Sequence, residues 1–207
     1  MNVGTFKFMT SWVRKNFYER GKSELFYDDI TVNVVVHVRR GDFVRGAAKS
    51  DKHIRKNAVV SDSCFAELTN NIVKELELVV NKPICVYIFS ENEPVSGRFL
   101  NEAGNESKLL DMITTTACKY IYLDKVSPLT AFNHFVNADV FVGSQSGFSV
   151  VAAFVNKYGV VFSPTREHMN GIQYDKTSCN KWNGEAFLEK FRFHEKCKKK
   201  YLQNKIG

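Results

Sequence analysis

The chain contains no C-x-x-C pair, no internal repeat, no D-x-D element placed at a strand end as a metal clamp, and no run of about 18 apolar residues. Each absence removes a class of function. The five cysteines, Cys64, Cys85, Cys118, Cys179 and Cys197, are odd in number and lack zinc-ligand spacing. That argues against a structural metal and against a disulfide framework. Cys85 lies in an apolar, strand-like run and is expected to be a free buried thiol. There is no basic-then-apolar leader ending in a small-residue cleavage site. The expectation is a chain without signal peptide or membrane span, cytoplasmic or otherwise soluble in a reducing compartment.

What the chain does have is apolar content and positive charge. Of its 207 residues 44% are hydrophobic, enough to bury the core of one α/β domain spanning 1–207. A net charge of +7 favours anionic partners such as nucleotides, nucleic acid or acidic glycans. Part of it is local, since Lys196, Lys198, Lys199, Lys200 and Lys205 crowd the C-terminus, where a basic run is usually a solvated helix face.

The stretch VNVVVHVRRGD, Val32 to Asp42, organises the rest. Side chains alternate along a strand, so Val32, Val34, Val36 and Val38 share one side and Val35, His37 and Arg39 the other. A β-branched run apolar on both faces predicts a buried parallel strand, and in an open α/β sheet ligands bind at the carboxyl ends of such strands. Arg39 and Arg40 there offer planar forks of donors suited to phosphate oxygens, and Gly41 permits close backbone approach. The residues point to an anion site. The Arg-Gly-Asp triplet at 40–42 also reads as an adhesion tripeptide, but three residues recur by chance.

Around this strand the chain alternates. Residues 1–30 are expected to be a helical lead-in and 43–60 a basic loop on the ligand side. A helix capped by Ser61 or Asp62 is predicted over Phe65 to Val80, strands at Ile84–Phe89, Tyr120–Leu123, Asp139–Gly143 and Gly159–Phe162, and helices at Ser107–Cys118, Leu129–Asn137 and Phe148–Asn156. Residues 184–207 close the chain as a basic helix. Strands and helices alternating at such intervals predict a doubly wound, mainly parallel, Rossmann-like sheet.

A second informative stretch, ADVFVGSQSGFSVVAA, runs from Ala138 to Ala153. A strand ends at Gly143, small hydroxyl residues follow and a helix begins, presenting backbone N–H groups and the positive end of a helix dipole. Ser144, Ser146, Gly147 and Ser149 suit a pyrophosphate-cradling turn, although serine-rich caps are common and most bind nothing.

HVRRGD at 37–42 resembles the H-x-R-R-G-D signature of the α1,2-type fucosyltransferases and their α1,6 and protein O-fucosyltransferase relatives, and the 138–153 stretch resembles that superfamily's late strand-turn-helix segment. The resemblance spans residues 32–163. It implies the nucleotide-binding half of a GT-B glycosyltransferase that transfers fucose from GDP-fucose to a glycan acceptor without a metal or other cofactor. It further implies that His37 contacts the guanine or ribose side and that Arg39 pairs with the β-phosphate and stabilises departing GDP. Arg40 and Asp42 would fix the loop and face the sugar, Gly41 would bring the backbone close to the nucleotide, and Arg39 and Asp42 are the catalytic candidates. Ser146, Gly147, Phe148 and Ser149 would wrap the phosphates, beside Ser144 of the same turn. His37 also reads as a core histidine bonded to neighbouring backbone.

Departures from the family pattern stand beside the matches. Gly147 replaces a hydroxyl on the β-phosphate, Phe43 and Ala47 replace a basic residue and a carboxylate, and Ala131 replaces the acid that reads guanine. A general base is not legible, since Asp42, Glu91 and Glu93 read equally well as caps or surface charges. About 30 residues before the first strand are far fewer than the ~100 usual for an acceptor domain. A reduced enzyme, a fragment, and a non-catalytic nucleotide-sugar-binding module relying on a missing domain or partner chain all stay open. So does a basic nucleic-acid-binding domain, given the 13% aromatic content and the Arg45–Lys56 loop, although Phe65, Phe89, Phe141 and Phe154 fall on core-like positions rather than on a stacking platform.

Overall fold

A computed structural model describes residues 17, 30–39, 60–90, 106–114, 118–122, 126–164, 171–174 and 182–206. Within them β1 (Val32–Val38), β2 (Ile84–Ser90), β3 (Cys118–Tyr122), β4 (Val140–Val142), β5 (Val160–Ser163) and β6 (Ile172–Gln173) alternate with α1 (Asp62–Glu77), α2 (Glu106–Met112), α3 (Pro128–Asn137) and α4 (Gly147–Val155), and α5 (Gly184–Ile206) follows β6. The sheet order is β3-β2-β1-β4-β5-β6, and each neighbouring pair is parallel. This is a doubly wound α/β fold whose order reverses between β1 and β4.

The valine run occupies the centre because only a strand covered on both faces can bury it. Every residue of β1 is buried, and Val34, Val35 and Val36 expose nothing. The predicted alternation holds. Val32, Val34, Val36 and Val38 pack with Phe65, Leu68, Ile72 and Leu76 of α1, Leu109 of α2, and Phe187 and Phe191 of α5. Val35 packs on the other face with Phe135 and Val136 of α3 and Ala152 and Val155 of α4. At about 1.5–3 kcal/mol for each large apolar side chain removed from water, these layers hold the sheet together.

Local chemistry sets the helix starts. Ser61 caps α1 by accepting from the Cys64 amide, and Ser127 caps α3 by accepting from the Thr130 amide, with Pro128 in the first turn where its missing N–H costs nothing. At the amino ends of the central strands Asn33 and Asp139 bind reciprocally. The Asn33 N–H donates to Asp139 Oδ2 (3.0 Å) and the Asp139 N–H to the Asn33 carbonyl (3.1 Å), while Lys198 Nζ meets Asp139 Oδ1 at 2.6 Å. Nearby, buried Asn156 donates to the Phe135 and Ala138 carbonyls and accepts from the Gly159 N–H. A Cβ at Gly159 would lie 2.1 Å from the Ala138 carbonyl oxygen, so only glycine fits there.

Several expectations change. Cys85 is not a free thiol but is disulfide-bonded to Cys118 of the adjacent β3, and Cys64 is also disulfide-bonded. Residues far apart in sequence meet across neighbouring strands, which an odd count and absent spacing motif do not reveal. The reducing compartment inferred from the cysteines loses its premise. Cys118, expected at a helix end, begins β3, and the helix before it stops at Met112. The polar stretch after Pro164 contributes an edge strand, β6. Lys198 is not merely a solvated lysine, since it pairs with Asp139. No helix among the described residues is long and apolar enough to cross a membrane.

Candidate functional site

Where the sheet order reverses, the carboxyl ends of β1 and β4 lie side by side, with Val36 opposite Val142. The two stretches singled out in the sequence therefore meet. His37 and Arg39 leave the end of β1, while Gly143 and Ser144 leave the end of β4 and turn into α4 at Ser146. In doubly wound folds the crevice at this reversal is where ligands sit.

Ser146 has extended backbone (φ −148°, ψ 137°) and caps α4, its Oγ accepting from the Phe148 N–H at 3.2 Å. Arg39 Nη1 donates to the same Oγ, also at 3.2 Å. The guanidinium is thus held against the head of a helix, beside amides that favour anions. Gly147 is the first residue of that helix, and a Cβ added to it would meet nothing within 4 Å. The protein's own packing does not require a glycine at this exposed position. Gly143 differs, because a Cβ there would come 3.2 Å from that of Ser149, and its absence lets the first turn of α4 close onto the strand end.

His37 is 6% exposed and sits in a polar and aromatic socket. Its Nδ1 is 2.6 Å from Ser149 Oγ and 3.2 Å from Ser144 Oγ. Its ring lies 4.9 Å from that of Phe135 and 5.9 Å from that of Phe148. Burial, with the nearby Arg39 charge second, pushes its pKa down to about 3, so it is neutral at physiological pH. Its partners are side-chain hydroxyls rather than the neighbouring backbone that the core-histidine reading implied. Phe148 packs its ring against Phe132 and Phe135 as well, and its amide serves the Ser146 cap.

The structure thus gathers His37, Arg39, Ser144, Ser146, Gly147, Phe148 and Ser149 from the sequence-derived set. Arg40, Gly41 and Asp42 lie outside the described residues, as do Phe43, Ala47, Glu91 and Glu93. One residue escaped sequence reasoning. Tyr174, just after β6, is buried on the opposite face of the sheet and donates its hydroxyl to the Gly143 carbonyl at 2.8 Å. Burial pushes its pKa up, which keeps it a donor. Only an aromatic residue with a polar tip in a polar stretch hinted at it. Among the described residues, no group of three or more His, Cys, Asp or Glu side chains could hold a metal ion.

No family model matches the chain, and no curated protein matches it. Solved structures that match include POFUT1 in complex with GDP, 15% identical with a TM-score of 0.38, covering 75% of this chain and 46% of that one. POFUT1 in complex with GDP-fucose matches at 14% identity and a TM-score of 0.38 over 73% of this chain and 44% of that one. Its apo form matches at 15% identity and 0.36 over 70% and 42%. The chain spans less than half the length of each of these structures.

Proposed function

We propose that the chain binds a nucleoside-diphosphate sugar at the reversal between β1 and β4 and acts as a fucosyltransferase-like glycosyltransferase, with GDP-fucose as donor and a glycan as acceptor. The observation that carries this reading is the Arg39 guanidinium bonded to the capping Ser146 at the head of α4, at the sheet position where such folds bind phosphates. The geometry argues for a diphosphate. Guanosine and fucose enter from the resemblance of HVRRGD to the fucosyltransferase signature.

In this reading the bond between the anomeric carbon and the β-phosphate oxygen breaks through an oxocarbenium-like state, GDP leaves with the electron pair, and the acceptor hydroxyl oxygen forms the new bond while its proton passes to the departing diphosphate or to water. The electrostatic demand is the charge gathering on the leaving diphosphate. Arg39 and the first amides of α4 meet it, each charge-assisted hydrogen bond contributing about 1.5–3 kcal/mol. Ser144, Ser146 and Ser149 shape the turn, and the resemblance of the motif assigns Arg40 and Asp42 to the sugar side. His37 is neutral, so its part is to orient the ligand rather than to take up a proton. The whole of 1–207 is read as one nucleotide-sugar-binding domain, with the acceptor side supplied by further chain or a partner.

Calorimetry with GDP, GDP-fucose and a single-stranded oligonucleotide tests the proposal. The expected result is binding of GDP and GDP-fucose, lost in Arg39→Ala, together with release of GDP when an acceptor glycan is present. Binding without turnover makes the chain a nucleotide-sugar-binding module. Preference for the oligonucleotide, with steep salt dependence, overturns the reading in favour of a nucleic-acid domain.

A further inference from the structure

The hydrogen bonds beneath the site form a chain that crosses the sheet. The Gly143 carbonyl and the Ser144 N–H belong to one planar peptide unit. Tyr174 donates to its carbonyl at 2.8 Å and Ser149 Oγ accepts from its N–H at 3.1 Å, so the plane is clamped from both sides. Ser149 Oγ then lies 2.6 Å from His37 Nδ1 and 3.3 Å from Ser144 Oγ, while Ser144 Oγ lies 3.2 Å from the same Nδ1.

The proton positions follow from these contacts. Ser149 already receives the Ser144 amide proton, so its own hydroxyl proton must go to another acceptor. The short contact, 2.6 Å to His37 Nδ1, suits an O–H donor far better than the 3.3 Å contact to Ser144. If Nδ1 were instead the protonated nitrogen, Ser149 would accept twice and be left with the longer contact for its own proton. Nδ1 is therefore the acceptor, and the ring proton is on Nε2.

We propose that Tyr174, the Gly143–Ser144 peptide and Ser149 act as positioning residues that lock His37 in its neutral Nε2–H tautomer, making it a hydrogen-bond donor to the bound ligand and not a general base. The lock itself stands on the geometry alone; the ligand it serves rests on the donor-site reading above. The Nδ1 lone pair is turned toward two buried serines, so Nε2 carries the proton and can only donate to a ligand that reaches it. Such a group recognises an acceptor atom, for example a ribose, phosphate or base oxygen, and rejects a ligand that offers a donor at that point.

The test is nitrogen-15 NMR of protein labelled at histidine, with His37 assigned through its backbone and read at neutral pH, with and without GDP. The expected spectrum shows a single Nε2–H tautomer, an Nε2 resonance that shifts on GDP binding, and no change of tautomer. In Ser149→Ala the two tautomers should become comparably populated. In Tyr174→Phe, which keeps the apolar ring, the Ser144 amide should exchange at least tenfold faster. An Nδ1–H tautomer or an imidazolium in the unaltered protein overturns the lock without needing any variant to fold. An Nε2 resonance unmoved at saturating GDP overturns the donor role. If GDP binds nowhere, the donor-site reading fails, yet an Nε2–H signature would still uphold the lock.

Discussion

The two ends of β1 and β4 use polar groups in opposite ways. At the amino ends Asp139 is matched by Lys198 and by the Asn33 amide, and Asn156 closes the adjoining turn around Gly159. The polar groups there satisfy one another, and the result is a brace. At the carboxyl ends a guanidinium, an imidazole and three serine hydroxyls gather at the head of a helix. That arrangement concentrates donors and positive potential at one place. The same strands thus carry a closed network that fixes the fold and a donor-rich one suited to an anion.

If the ends differ in this way, substitutions should separate into those that cost stability and those that cost binding. The largest effect is expected at the brace. Gly159→Ala sets a Cβ against the Ala138 carbonyl and should lower unfolding free energy by about 3 kcal/mol in denaturant titrations, leaving the GDP affinity of the folded protein unchanged. Arg39→Ala should do the reverse, weakening GDP binding about a hundredfold, which corresponds to ~2.7 kcal/mol, with little change in the denaturation midpoint. Comparable losses of both properties in either variant would erase the distinction.

Acid should act through the carboxyl end. His37 is held neutral in the fold with a pKa of about 3, whereas an unfolded chain would protonate it near 6.5. Its contribution is therefore intact above pH 6.5 and is lost progressively as pH falls toward 3, at about 1.4 kcal/mol per pH unit, or roughly 2 kcal/mol by pH 5. His134, whose pKa is also lowered, chiefly by burial, acts in the same direction. Stability measured from pH 7 to 5 should fall accordingly, and His37→Gln should remove most of the slope. The smallest effect belongs to Asp139→Asn. Because Lys198 is partly exposed, about 1 kcal/mol of stability should be lost, with GDP binding untouched.

Much of this contrast is legible in the sequence at the carboxyl end and little of it at the amino end. Val32 to Val38 announce a central strand because their pattern needs cover on both faces. Ser146 announces a cap because hydroxyl, glycine and small apolar residues follow in order. What spacing cannot show is pairing at a distance. His37 finds Ser149 112 residues away, Lys198 finds Asp139 across 59, and Cys85 finds Cys118 only because β2 and β3 are neighbours in register. Tyr174 was hidden for the same reason. Its partner is a backbone carbonyl on another strand, and the two-residue β6 that brings it there is too short for periodicity to reveal.

The most direct test of the central claim is an amide chemical-shift map of the protein titrated with GDP. Saturable shifts are expected at Arg39 and from Gly143 to Ser149, with Asn33, Asp139, Asn156 and Gly159 unmoved. Shifts confined to the amino-end brace or to α5, or no saturable shift at all, would contradict it.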